Sequence, residues 1–200
     1  MKIIGLTGGI GAGKTRILQY MKDIQGAYIC CADEVGHLLQ QPGKVCYKEI
    51  VDFFGAEILD SNQKIDRGKL ATAIFADITK RCVLDTIMHP RIKSEICAQI
   101  QVEQTKGTQY FVLEAALLIE DSYQEICDEI WYVYASQGHR RQRLKQTRGY
   151  SDEKIDAIFD AQLSENEYQA YCKHMIDNNG DFKETVKQIE ALESRQDEIM

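Results

Sequence analysis

No stretch of this 200-residue chain approaches the roughly 18 consecutive apolar residues that a membrane-crossing helix needs. Its seven cysteines, Cys30, Cys31, Cys46, Cys82, Cys97, Cys127 and Cys172, include no C-x-x-C pair, and their number is odd. That argues against a zinc site or a disulfide framework and for buried thiols in a reducing cytosol. The opening run, MKIIGLTGG, is far too short for the apolar core of a signal peptide. A cytoplasmic protein without membrane contact is expected. Basic residues are scarce, 24 against 31 acidic ones, for a net charge of −7. A general nucleic-acid-binding surface is therefore not expected, although a local basic cluster stands at His139 to Lys145. Repeats and low-complexity linkers are missing too, so the length suits one domain, or one core with an insertion.

What is present alternates short apolar runs with helical periodicity. Lys2 to Thr7 reads as a buried parallel strand, and Thr15 to Lys22 places Ile17, Leu18 and Met21 at helical spacing. Further strands are expected at Ala27–Cys31, Tyr110–Leu113, Ile130–Tyr134 and Met175–Asp177, and a terminal helix over Asp181–Ser194. Such alternation predicts an α/β fold, a parallel sheet of about five strands covered on both faces. Between the second and third strands lie about 75 wholly helical residues, too many for one crossover. They read as an inserted helical subdomain. Within it Asp66 suits a helix start, and a kink or break is expected at His89-Pro90, because proline removes a helical hydrogen bond and crowds the preceding turn. The polar helical stretch after the fourth strand breaks near Gly149. The expected layout is a core of 1–35, 108–138 and 172–200, an insertion over about 36–107, and a lid over about 139–171.

The stretch LTGGIGAGKTR, Leu6 to Arg16, carries the sharpest chemical signal. Gly8, Gly13, Lys14 and Thr15 fit G-x-x-x-x-G-K-[ST], with a strand before and a helix after. Glycines let successive N–H groups turn toward phosphate oxygens, and the helix that follows adds its positive end. Lys14 would reach the β- and γ-phosphates, and the Thr15 hydroxyl would bind Mg²⁺. A guanine-specific N-K-x-D is absent, and the chain is small for a motor or transporter ATPase. A small-molecule kinase fits, with the insertion holding the acceptor and the basic segment closing over ATP as a lid. Asp33, after the second strand, borders the expected ligand crevice and could accept a hydroxyl proton, hold Mg²⁺ through water or serve as a helix N-cap. Glu114, at the end of the third strand, is either a Mg²⁺-associated carboxylate or a surface residue. Among Arg140, Arg141, Arg143, Lys145 and Arg148, neighbours point about 100° apart on a helix. Arg143 and Arg148 are the two chosen to neutralise the transferred phosphoryl group.

These residues resemble the dephospho-CoA kinase family over nearly the whole chain. LTGGIGAGKT is similar to its phosphate loop, ADEV with Asp33 to its D-A-D segment, and LLIE to its P-L-L-F-E. FGAEIL, IDRGKLATAIFAD, LDTIMHPRI, RLKQTRGYSDEKI, AQLS and IDNNGD follow in the family's order. Cys31 occupies the first carboxylate position of D-A-D, which leaves that role to Asp33. The resemblance implies a three-layer P-loop kinase fold and transfer of the ATP γ-phosphate to the 3′-hydroxyl of the dephospho-CoA ribose. It implies ATP binding by Gly8, Gly9, Gly11, Ala12, Gly13, Lys14, Thr15 and Arg16, with Asn178 near the adenine. It implies acceptor contacts from Asp33 and His89, with Asp33 as probable base, lid roles for Arg143 and Arg148, Mg²⁺ on Thr15, and no obligate protein partner. A kinase for another hydroxyl acceptor, such as a nucleoside or sugar, and a nucleotide-binding regulatory module are the alternatives.

Overall fold

In a computed structural model of the chain, residues 1–197 are described. The chain runs β1 (Lys2–Thr7), α1 (Lys14–Gln25), β2 (Tyr28–Cys31), α2 (Ala32–Leu39), α3 (Val45–Phe54), α4 (Arg67–Phe75) and α5 (Ile78–Lys106). It continues with β3 (Tyr110–Glu114), β4 (Glu129–Tyr134), α6 (Gln137–Arg148), α7 (Asp152–Asp160), α8 (Glu165–Tyr171), β5 (His174–Asp177) and α9 (Phe182–Asp197). Two compact units emerge. One is Met1–Ile29 with the chain from Gly107 onward, and the other is Cys30–Lys106.

The strands form one sheet in the order β2-β3-β1-β4-β5, with β1 parallel to both β3 and β4, and β4 parallel to β5. Central strands of such a sheet are buried on both faces, which is why they read as short apolar runs rather than as alternation. One face of the first unit buries Ile4, Leu6, Val133 and Ile176 against Ile17 and Met21 of α1 and Ile189 of α9. Trp131 is fully buried in the same cluster. On β3 and β4, Phe111 stacks on Tyr28 at 5.2 Å and Tyr132 on Tyr168 at 4.8 Å. Strands β3, β4 and β5 are each one residue longer than the sequence predicts.

At the amino ends of β1, β4 and β5 an ion cluster surrounds Glu129. Its carboxylate accepts from Trp131 Nε1 at 2.7 Å and lies 2.9 Å from Lys2 Nζ, 3.2 Å from Lys173 Nζ and 3.6 Å from His174 Nε2. Burial raises its pKa, but the hydrogen bonds from Lys2, Trp131 and Lys173 outweigh this and hold it below the ordinary carboxylate range. A carboxyl group with a depressed folded pKa stabilises the fold above its unfolded pKa, and that stability is lost as pH falls through the folded value. His174 acts in the same direction, since burial holds its pKa below the ordinary imidazole value and acid must protonate it. Glu129→Ala should cost about 1–3 kcal/mol, the price of leaving the buried Trp131 N–H unmatched. Thermal melts from pH 7 down to 3 should show a flatter acid loss for the variant than for the wild type.

In the second unit, α2 to α5 bury Ile50, Phe54, Leu70, Met88, Ile96 and Ile100. A lone antiparallel bridge between Leu59 and Ile65 interrupts the otherwise helical segment. Asp66 caps α4, accepting from Gly68 N–H at 2.8 Å and Lys69 N–H at 3.1 Å. Of the kink or break expected at His89-Pro90, the break does not occur, for α5 runs from Ile78 to Lys106 with Pro90 inside it. Pro90 has no N–H, and an interior proline costs about 3 kcal/mol. Burying Met88, Ile96 and Ile100 at about 1.5–3 kcal/mol each more than offsets that. The Arg91 guanidinium adds a bond to the Ile87 carbonyl at 3.2 Å and one to Glu49 of α3 at 2.5 Å.

Candidate active site

The loop between β1 and α1 is shaped by three glycines at positive φ: Gly8 (146°), Gly11 (80°) and Gly13 (96°). The Ala12 N–H closes a turn onto the Gly9 carbonyl at 3.0 Å. The N–H groups of Gly11, Gly13 and Thr15 make no hydrogen bond among the described residues, and they sit at the head of α1. Unmatched amides at a helix N-terminus are a ready site for phosphate oxygens. Lys14 Nζ donates to the Gly8 carbonyl at 2.7 Å and lies 3.9 Å from Glu114 Oε1 at the end of β3. The Thr15 side chain is exposed at the same helix head, and Arg16 lies with its guanidinium 3.9 Å from the centre of the Phe182 ring. A Cβ on Gly8 would stand 2.5 Å from the Val133 carbonyl oxygen, and its φ disfavours any side chain. Gly8→Ala should therefore destabilise the fold, with a strain of about 1–3 kcal/mol to absorb. A thermal melt of the variant checks this.

Behind the loop stands a layer of polar side chains from α6, from the turn after α7 and from the residue that follows β5. Arg143 Nη1 donates to the carbonyls of Gly11 (3.3 Å) and Ala12 (3.1 Å), and its Nη2 donates to the Asn178 carbonyl at 2.6 Å. Asn178 is buried; its Nδ2 donates to the Ala12 carbonyl at 2.7 Å and its Oδ1 accepts from the Thr185 hydroxyl at 3.0 Å. Arg140 Nε donates to the Ile10 carbonyl at 2.9 Å, and its Nη2 donates to Gln162 Oε1. The same Gln162 oxygen accepts from the Ile10 N–H at 3.3 Å. Burial lowers the Arg140 pKa from its usual value.

The rest of the basic run faces elsewhere. Arg141 pairs with Asp152 at 2.7 Å and with Asp156, and Lys145 with Asp152 at 2.7 Å, tying α6 to α7. Arg148, in the last turn of α6, is exposed and sits 5.9 Å from the Tyr150 ring. Sequence reasoning chose Arg143 and Arg148 from this run and passed over Arg140, as well as Gln162 inside AQLS. The fold brings Arg143, Arg140, Gln162 and Asn178 together on the loop and does not bring Arg148 there.

In the second unit, the N-cap of α2 is Cys31, so Asp33 is not the cap. It lies exposed in the first turn, and its carboxylate makes no hydrogen bond or ion pair among the described residues. A carboxylate in a first turn is favoured by the helix dipole. His89, on α5, is half exposed with Nε2 3.7 Å from Asp85 Oδ1. No cluster of three or more His, Cys, Asp or Glu residues suited to a metal ion occurs among the described residues. None of the seven cysteines forms a disulfide there; burial pushes the Cys30, Cys127 and Cys172 thiols up to about 12, while Cys82 is exposed. No described helix is long and apolar enough to cross a membrane.

A parallel sheet of this strand order, with a G-x-x-x-x-G-K-T loop leading from its central strand into a helix, defines the P-loop kinase class. A family model described as dephospho-CoA kinase matches residues 2–184. Dephospho-CoA kinases of Aquifex aeolicus and Symbiobacterium thermophilum are 37% and 34% identical to this chain, each over 96% of it, and over 96% and 80% of their own lengths. A solved dephospho-CoA kinase from Campylobacter jejuni, 22% identical, shares the fold with a TM-score of 0.72 over 98% of this chain and 100% of its own. This chain belongs to the dephospho-CoA kinase family.

Proposed function

We propose that this kinase transfers the γ-phosphate of ATP to the 3′-hydroxyl of the ribose of dephospho-CoA, giving coenzyme A and ADP. The observation that carries this reading is the Gly8–Thr15 loop, with the Gly11, Gly13 and Thr15 amides turned to no protein partner, in a member of this family. The backbone from Gly11 to Arg16 cradles the polyphosphate, with Gly8 and Gly9 giving the loop its turn. Lys14 leaves the Gly8 carbonyl for the β- and γ-phosphate oxygens. Arg143 lends its charge to the phosphates from behind the loop, and Arg148 reaches the transferred phosphoryl group when the lid closes. The Asn178 amide is turned inward, so the exposed turn that follows it meets the adenine. Asp33 accepts the hydrogen bond of the acceptor hydroxyl and orients it for in-line attack, and His89 contacts the acceptor.

The chain also offers what Mg²⁺ requires. The exposed Thr15 hydroxyl makes no hydrogen bond among the described residues, and the Glu114 carboxylate lies near Lys14. Oxygen donors completed by water and phosphate are the usual Mg²⁺ shell. Thr15, with Glu114 nearby, would hold the ion, which would supply charge neutralisation for the phosphates. A cytoplasmic setting belongs to the same reading.

A coupled assay for ADP, run with and without dephospho-CoA, tests the proposal. ADP should form only when dephospho-CoA is present, with coenzyme A in equal amount. ADP formation that ignores dephospho-CoA but responds to a nucleoside or sugar would reject the acceptor.

A further inference from the structure

The Ile10 peptide lies at the tip of the phosphate loop and is held from both sides by residues far along the chain. Its carbonyl accepts from Arg140 Nε at 2.9 Å. Its N–H donates to Gln162 Oε1 at 3.3 Å, and Arg140 Nη2 donates to that same oxygen. The Arg140 guanidinium is in turn seated over the Phe159 ring, 4.3 Å from its centre. It fits so closely that a Cβ on Gly9 would collide with it. We infer that Arg140 and Gln162 are positioning residues for the phosphate loop. They fix the peptide plane between Ile10 and Gly11 and thereby aim the Gly11 N–H at the polyphosphate.

The argument is one of covalent geometry. A trans peptide is planar, and its C=O and N–H point in opposite directions. Arg140 anchors the Ile10 carbonyl on the back of the loop, so the Gly11 N–H of that same plane must face forward, where it has no protein partner. Gln162 fixes the preceding plane through the Ile10 N–H, so the two planes cannot rotate together. A donor on a carbonyl also polarises the N–H of the same peptide and strengthens it as a donor. Moreover, Arg140 pairs with no carboxylate among the described residues. Its charge is therefore not cancelled locally and adds to the field that a phosphate feels. Pre-setting the donors saves the ordering cost that ATP would otherwise meet on binding.

This inference rests on the reading of Gly11 to Arg16 as the ATP-binding loop, and the experiment separates the two. ATP and dephospho-CoA affinities are measured by calorimetry for the wild type, Arg140→Lys, Gln162→Leu and the double variant. Arg140→Lys keeps the charge and loses the forked geometry; Gln162→Leu removes the acceptor while leaving Arg140 in place and keeps the test decisive if Arg140→Lys does not fold. Each single variant should bind ATP about tenfold or more weakly, as the loss of a charge-assisted hydrogen bond implies. Dephospho-CoA affinity should stay within about threefold. The double variant should be little worse than the poorer single one, because both residues serve one geometry. ATP affinity within threefold of wild type in both singles overturns the inference and leaves the loop reading intact. Equal weakening toward ATP and dephospho-CoA also overturns it, since that marks a general structural role. A wild-type chain that binds no ATP overturns the loop reading and the inference with it.

Discussion

Lys14→Ala should reduce turnover by about 10²–10³-fold or more, the range for removing one donor aimed at developing charge in a water-poor site. The ammonium sits 2.7 Å from the Gly8 carbonyl and 3.9 Å from Glu114, inside the curve of the loop. Its contacts with the Gly8 carbonyl and the Glu114 carboxylate are ones that phosphate oxygens can replace. Removing it should leave the loop backbone in place, because Arg140, Arg143 and Asn178 hold the loop through carbonyls and not through Lys14. The melting temperature should therefore change by no more than a few degrees, while single-turnover transfer collapses. Lys14→Arg should not rescue it, since a planar fork does not fit a place shaped for a point charge. Turnover within tenfold of wild type in Lys14→Ala would refute the assignment.

Asp33→Asn should lower kcat by about 10²-fold or more, within the roughly 10²–10⁴-fold that a positioned general base contributes. A loose phosphoryl-transfer transition state needs less from a base, so the lower part of that range is expected. ATP affinity should be unchanged, because Asp33 has no place in the loop. Folding should lose only about 0.3–1 kcal/mol, the worth of a negative charge in the first turn of α2. A carboxylate that makes no hydrogen bond or ion pair among the described residues leaves nothing behind that needs it. Rapid-quench transfer measurements and ATP titration on the same sample separate chemistry from binding. If Asp33→Asn transferred phosphate at nearly the wild-type rate, the acceptor hydroxyl would have to be oriented by another group.

The loop was legible because each of its parts is local. Glycines, lysine and threonine at fixed offsets between a strand and a helix imply their own geometry. The strands were legible for a similar reason, as short apolar runs in a doubly covered sheet. Helix α8 escaped notice because it has seven residues and little apolar periodicity, yet its start was written in the sequence. Ser164 and Glu167 form a capping box, each side chain serving the other's backbone N–H. Pro90 does not end its helix, because a local rule met a tertiary context that outweighed it. The back of the loop was hidden for a deeper reason. Arg140 and Ile10 are 130 positions apart, and Ile10 and Gln162 are 152 apart. Nothing in a basic run says which arginine turns inward: Arg141 goes to the acids of α7, and its neighbour Arg140 goes to the loop.

Glu129 opens β4, while the phosphate loop follows the far end of β1, the strand beside it. The ion cluster and the phosphate loop thus stand at opposite poles of the same sheet. A directed-evolution library restricted to positions 2, 129, 173 and 174 could retune the working temperature of the enzyme without redrawing its chemistry.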